Sequence, residues 1–256
     1  MGPEYITSRQ NPLMVTVGKI LSSRKFRRQS GLFAGDGTKL LREAIRWMPE
    51  RLDTVILRED LSWPELPEHV RRVRVPAGLM DRISDLETPE GALFLLRLPE
   101  TREGEIRPGT LVLDGIQDPG NLGTILRTAD AMEIPVVLTE GCADPYSPKT
   151  VRASMGALFR GEPGYLSREN LVTQCREKQI PLMATALSQD AKDIREASLG
   201  TGAVIIGSEG RGVSRELIEA SEGQIIIPMN PRCESLNAAA AAAIVCWQMV
   251  LERGME

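Results

Sequence analysis

Short apolar runs alternate with helix-spaced segments over more than half of this chain. The runs fall at 110–114, 135–138, 181–185, 203–207 and 224–227. The helix-spaced segments fall at 122–132, 148–159, 168–178, 190–196, 214–221 and 236–252. A strand followed by a helix before the next strand argues for a parallel neighbour, because parallel pairing needs a long crossover that a helix supplies. The expected fold class is therefore α/β, a parallel sheet with helices on both faces.

The first hundred residues read as a smaller α/β unit. Apolar residues at helical spacing mark 11–21 and 38–48, the second stopped by Pro49, and a short helix is expected at 79–84. Strands are expected at 54–57, 70–75 and 93–98. Pro99–Gly109 is polar and holds two prolines and two glycines, so it is the natural linker. The expected boundaries are 1–100, a linker at 101–109, and 110–256.

Composition narrows the function classes. The four cysteines, Cys142, Cys175, Cys233 and Cys246, are far apart, and His69 is the only histidine. No metal site is expected from such a set, and free thiols fit a reducing cytoplasm. The N-terminus has no apolar signal core, and Leu236–Leu251 is interrupted by Asn237 and Gln248, too short to span a bilayer comfortably. The net charge of −4 conceals nine Lys/Arg against three Asp/Glu within residues 1–46. Arg24, Lys25, Arg27 and Arg28 crowd together there. Such a cluster is either a phosphate-binding face or an ordinary solvated helix face.

Three segments carry the chemistry. In Leu111–Ala131 a strand feeds an Asp-Pro-Gly-Asn loop, and a helix expected from Leu122 places Arg127 about one turn in. Free amides at such a helix start suit an anion or polar ligand. In Val204–Leu217 glycines at 207, 210 and 212 surround Glu209, and Ser214 is positioned to cap the next helix. The spacing G-x-x-G-x-G is not the dinucleotide fingerprint, which argues against a nicotinamide oxidoreductase. In Gln224–Met249 a strand stopped by Pro228 leads to a polar loop, an expected N-cap at Ser235, and an alanine-rich helix opened by Asn237.

Taken together, these segments resemble the SpoU (TrmH) family of RNA ribose 2′-O-methyltransferases in the SPOUT superfamily. The family's N-x-x-G-x-x-x-R stands here as Asn121 to Arg127 with Gly123 between them, with one residue fewer between the asparagine and the glycine. Its G-x-E-x-x-G stands as Gly207 to Gly212, and its I-P-M and S-L-N as Ile227-Pro228-Met229 and Ser235-Leu236-Asn237. Ser147–Phe159 is a further similarity, and ITSRQNP with TPEG at 88–91 is similar to the family's L30e-like substrate domain. The resemblance implies a SPOUT α/β knot with a deep trefoil, a rare exception to unknotted chains. It implies S-adenosylmethionine held at Gly207, Ser208, Gly210, Ile227, Met229, Ser235 and Leu236. It implies a catalytic Arg127, with Asn121, Glu209, Ser235 and Asn237 orienting it and the target ribose. RNA contacts are expected at Arg24, Lys25, Arg27, Arg28, Arg152 and Ser154, and a homodimer through the last helix. Ribosomal RNA is the expected substrate; the alternatives are transfer RNA and a non-catalytic RNA-binding protein of the same fold. Ala238 and Ala239 depart from the Val and Ser that usually follow S-L-N. Ribose methylation needs no covalent cysteine, so Cys233 is read as a bystander and His69 as structural or superficial.

Overall fold

The structure, a computed structural model, describes residues 2–100, 103–188 and 190–253. Its elements in chain order are β1 Glu4–Tyr5, α1 Pro12–Ser22, α2 Arg24–Ser30, β2 Leu32–Asp36, α3 Thr38–Trp47, β3 Leu52–Arg58, β4 Arg71–Val75, α4 Ala77–Ile83 and β5 Ala92–Arg97. They continue with β6 Leu111–Asp114, α5 Pro119–Ala131, β7 Val136–Leu138, α6 Pro148–Ser154, α7 Ala157–Arg160, β8 Gly164–Tyr165 and α8 Arg168–Glu177. The last are β9 Leu182–Thr185, β10 Lys192–Asp193, β11 Ala203–Gly207, α9 Arg215–Ala220, β12 Gly223–Ile226 and α10 Ala238–Arg253. The chain divides into two compact units: residues up to 100 together with 144–160, and residues 101–143 with 161–256.

The first unit is built on a five-stranded sheet of order β1-β4-β3-β5-β2, antiparallel only where β5 meets β2 and β3. Val17 and Ile20 of α1 and Met80 of α4 pack against Ile56, Val73 and Leu95 of the sheet. An aromatic cluster joins β2 and β5 to the 144–160 segment: the Phe33 ring lies 5.0 Å from that of Tyr146 and 6.5 Å from that of Phe159, which stands 6.3 Å from Phe94. Edge-to-face and tilted pairs at such distances add to the burial of the rings themselves. The strand 32–36 carries no alternating signal in the sequence because Phe33, Ala34 and Gly35 are all buried in a row.

Arg27 is only 5% exposed. Its Nη2 and Nε donate to Asp144 Oδ2 at 2.6 and 3.1 Å, and Nη1 donates to the Ile20 carbonyl at 2.7 Å. This corrects its expected role as an RNA contact: the guanidinium is consumed inside the unit. Ser154 is corrected likewise, being fully buried with its hydroxyl donating to Val151 O at 2.8 Å. The expected helix 148–159 is broken at Met155, whose φ of 50° is left-handed, so α6 and α7 are separate.

The second unit holds a seven-stranded sheet of order β10-β12-β9-β11-β6-β7-β8, parallel at every pairing. Val112, Leu182, Ala184 and Ile205 share one cluster with Leu171 and Cys175 of α8 and Leu217 of α9. Their strand neighbours face the other way, towards α10, which lies against β11 and α5. Helices thus cover both faces, as the alternation requires. The expected helix at 190–196 is instead β10, at the sheet edge, and a 3₁₀ turn. The Asp193 carboxylate accepts from Arg195 N at 2.9 Å, a local bond that competes with helix. In the polar stretch before β6, residues 101 and 102 lie outside the described residues. Glu103 pairs with Tyr165, and Ile106 is fully buried in the core of the second unit.

Removing one partner of a buried ion pair leaves the other charge stranded. Arg27→Ala is expected to cost about 3–5 kcal/mol in urea unfolding, whereas the exposed neighbour change Arg24→Ala is expected to stay within about 0.5 kcal/mol.

Candidate active site

The carboxyl ends of β9, β11 and β12 are adjacent in the sheet, and the loops that leave them enclose a cavity of about 390 Å³. Gly207, Ser208, Glu209, Gly210 and Val213 form one wall. Ile227, Met229, Ser235 and Leu236 form a second, and Thr185, Ala186 and Leu187 a third, with Ala238 and Ala241 of α10 completing it. This is where ligands of open parallel sheets bind, since every strand delivers its outgoing loop to the same edge.

The wall after β11 is a tight loop. Ser208 N donates to Gly212 O at 3.0 Å and Gly212 N to Ser208 O at 2.9 Å. A Cβ on Gly207 would lie 2.1 Å from the backbone of Gly212 and Val213. Gly207 is therefore glycine because the chain's own backbone folds onto it. Gly210 differs: nothing lies within 4 Å of where its Cβ would be.

The three motif segments meet through side chains. Asn121 Nδ2 donates to Glu209 Oε1, and Asn237 Nδ2 donates to Asn121 Oδ1 at 3.0 Å. Asn237 Oδ1 accepts from Ala239 N at 2.9 Å and Ala240 N at 3.3 Å, so Asn237 caps α10. This corrects two expectations, Ser235 as the cap and Asn237 as the first helical residue. The amide of Asn237 is the group that reaches the free amides of the first turn. Ser235 lines the cavity instead. Ser214 stands at the N-cap position of α9, but its side chain makes no capping bond.

Arg127 lies elsewhere. α5 begins at Pro119, capped by Asp118 Oδ1 accepting from Asn121 N at 2.8 Å, so Arg127 sits more than two turns in rather than one. Six residues beyond Asn121, it is displaced about 9 Å along the axis and points to a different side of the helix. It is exposed, lines no part of the cavity, and is not bonded to Asn121, Glu209, Ser235 or Asn237. Within one chain these residues therefore do not orient Arg127.

All seven expected cofactor residues line the cavity, and Asn121, Glu209 and Asn237 form one hydrogen-bonded group. Of the expected RNA contacts, Arg24, Lys25 and Arg28 are exposed around an open depression with Gln29. Arg152 is half-exposed and pairs with Asp85 at 3.7 Å. The wall Thr185–Leu187 was not singled out from the sequence. Its only signal is that it ends a parallel strand, as Gly207 does. Cys233 is exposed and is not part of the cavity lining. His69 Nε2 lies 3.0 Å from Leu52 O, a structural contact. Among the described residues no group of three or more His, Cys, Asp and Glu could hold a metal ion.

Comparison with known proteins agrees with this geometry. The profile of the SpoU rRNA Methylase family matches residues 108–247, and that of an MRM3-like substrate binding domain matches residues 15–93. The 23S rRNA (guanosine(2553)-2′-O)-methyltransferase RlmP of Bacillus subtilis is 29% identical over 90% of this chain and 93% of its own length. A TrmH-family structure from Porphyromonas gingivalis is 33% identical, covering 94% of this chain and 98% of that one at a TM-score of 0.80. The AdoMet-bound rRNA methyltransferase from Sinorhizobium meliloti is 26% identical, covering 97% of each chain at a TM-score of 0.83.

The thiols divide by burial. Burial pushes Cys175 up to about 11 and Cys246 up to about 12. At neutral pH in the native protein, a thiol reagent is expected to modify Cys233 rapidly and to leave Cys175 and Cys246 unmodified until denaturant is added, as read by peptide mass mapping.

Proposed function

Because this chain belongs to the SpoU rRNA methylase family, we propose that it transfers a methyl group from S-adenosylmethionine to a ribose 2′-hydroxyl of ribosomal RNA. The observation that carries this reading is the cavity at the ends of β9, β11 and β12. Its volume of about 390 Å³ falls in the range of sites for ligands of this size. Its walls combine the tight loop at Gly207–Gly212 with the apolar side chains of Ile227, Met229 and Leu236. That is the combination an adenosyl group and a methionyl chain require. Residues 207–210, 227, 229, 235 and 236 would hold the cofactor, which when bound supplies a methyl group activated on a sulfonium.

The chain's own contribution is alignment and charge. Holding both reactants in place supplies several kcal/mol of the barrier. The Asn121–Glu209–Asn237 group ties the start of α5 and the start of α10 to the cavity loop, and so fixes the ground on which the ribose is placed. The role of the Arg127 guanidinium is to bind the phosphate next to the target and to stabilise the alkoxide as it develops, while phosphate or solvent accepts the proton.

Arg127 reaches a cavity only if a second chain provides it. α10 carries an exposed apolar stripe of Ala240, Ile244, Trp247 and Leu251, with Ile244 39%, Trp247 47% and Leu251 58% exposed. Their spacing of four, three and four residues places them on one helix face. Pairing of this stripe with its copy in a homodimer buries it and brings Arg127, on the adjacent α5, towards the partner's cavity. The family's knotted chain path belongs to the same reading. RNA is received by Arg24, Lys25 and Arg28, within the residues matched as substrate-binding, and by Arg152. The cytoplasm is the proposed location; among the described residues no helix is long and apolar enough to cross a membrane.

The test is methyl transfer from labelled S-adenosylmethionine to ribosomal RNA lacking the modification, with the product mapped at nucleotide resolution. A 2′-O-methyl mark on ribosomal RNA is expected; label confined to transfer RNA, or no label, overturns the substrate or the activity. Arg127→Ala is expected to abolish transfer while the Kd for S-adenosylmethionine stays within about twofold. Leu236→Glu, which puts a charge in the cavity wall, is expected to abolish cofactor binding by calorimetry. Trp247→Glu is expected to shift the protein from dimer to monomer in sedimentation, with loss of transfer.

A further inference from the structure

Asp114 ends β6 and stands in register beside Gly207, the last residue of β11 before the cavity loop. It is 2% exposed and does not line the cavity. Its carboxylate is nevertheless spent in two directions. Oδ1 accepts from Thr139 Oγ1 at 2.7 Å and from Arg168 Nε at 2.8 Å, and Arg168 is itself held by the Glu140 carbonyl at 3.1 Å. Oδ2 accepts from the backbone N–H of Ser214 at 2.7 Å.

That last bond fastens one foot of the loop. The 208–212 turn closes on itself through the Ser208–Gly212 pair, and its incoming foot is β11. Its outgoing foot is Ser214, whose amide, at the start of α9, has no partner within the helix and is taken by Asp114. Burial alone pushes the Asp114 carboxyl up, but the hydrogen bonds from Thr139, Ser214 and Arg168 outweigh it and hold the group below the usual carboxylate range. A charged acceptor on a backbone N–H makes one of the stronger hydrogen bonds available.

We infer that Asp114 is a positioning residue that sets the shape of the 208–213 loop and through it the affinity for S-adenosylmethionine. The carboxylate is fixed from the ends of β7 and α8, and it uses its free oxygen to hold the wall formed by Gly207, Ser208, Gly210 and Val213. Glu209, in the same loop, is thereby presented to Asn121. This inference rests on the reading of the cavity as the cofactor site.

Two variants test it by calorimetry with S-adenosylmethionine and by steady-state kinetics with RNA. Asp114→Asn keeps the shape but leaves an amide donor facing either Ser214 N–H or the Thr139–Arg168 side. Ser214→Pro removes the N–H together with the hydroxyl, at a φ of −60° that proline adopts, and Ser214→Ala, which keeps the N–H, controls for the hydroxyl and is expected to bind normally. Asp114→Asn and Ser214→Pro are each expected to weaken S-adenosylmethionine binding by about tenfold or more, raising its KM while the KM for RNA stays within about twofold. Should Asp114→Asn fail to fold, Ser214→Pro decides, since it leaves the carboxylate and its other partners in place. A purely structural role lowers the binding stoichiometry or the melting temperature and leaves Kd unchanged, and that result overturns the inference. Leu236→Glu separates the two readings. If it abolishes binding while both loop-foot variants bind normally, only this inference fails. If Leu236→Glu itself binds normally, the cavity assignment fails.

Discussion

Parallel pairing is the constraint on which the second unit depends. Every strand of a parallel sheet points the same way, so each loop that leaves a strand emerges at the same edge. In the order β12-β9-β11-β6 four such loops become neighbours, although the strand ends at Asp114 and Ile226 lie more than a hundred residues apart in the chain. The cavity follows from three of them and the start of α5 from the fourth. No long-range attraction between motif residues is needed to bring them close. Hydrophobic burial of Val112, Leu182, Ala184 and Ile205 under α8 and α9 holds the strands, and the loops follow.

Hydrogen bonds then fix what burial has brought together. Asn121 is the centre, giving its amide hydrogens to Glu209 and taking a bond from Asn237. An amide can do both at once, whereas a carboxylate can only accept and an ammonium can only donate. Asn237 adds a third duty by capping α10, so the geometry of the site is linked to the helix that carries the exposed stripe of Ile244, Trp247 and Leu251. One side of the site is thus organised within the chain, while Arg127 faces solvent. The proposed dimer accounts for both facts with one contact.

The basic segment near the N-terminus shows how burial divides residues of one charge. Arg24, Lys25 and Arg28 remain at the surface, and Arg27 is folded inside against Asp144. The desolvation cost of a buried guanidinium is met only with a good partner and further acceptors. Asp144 and the Ile20 carbonyl supply them. Asp144 arrives from a segment more than a hundred residues away, which also brings Tyr146 and Phe159 to the aromatic cluster. The four charges look alike as a string, yet three are free to meet phosphate and one is a tie within the unit.

Periodicity is a local property, and the elements that follow from it were legible in the chain. The strands at 110–114, 203–207 and 224–227 and the helices of α3, α8 and α10 stand close to where apolar spacing puts them. The motif glycines 207, 210 and 212 likewise pointed to the cavity lining, and the motif asparagines to the hydrogen-bonded group with Glu209. Where local signals conflict or vanish, the tertiary structure decided. Asp193 turned an expected helix into an edge strand and a 3₁₀ turn, and β2 lost its alternation because both its faces are covered. The bonds that organise the site span 88 residues from Asn121 to Glu209, 116 from Asn121 to Asn237 and 100 from Asp114 to Ser214. Spacing along a chain carries no information about such partners. They exist because sheet order places chain-distant strand ends side by side, and only there does a buried carboxylate or a loop amide acquire its role.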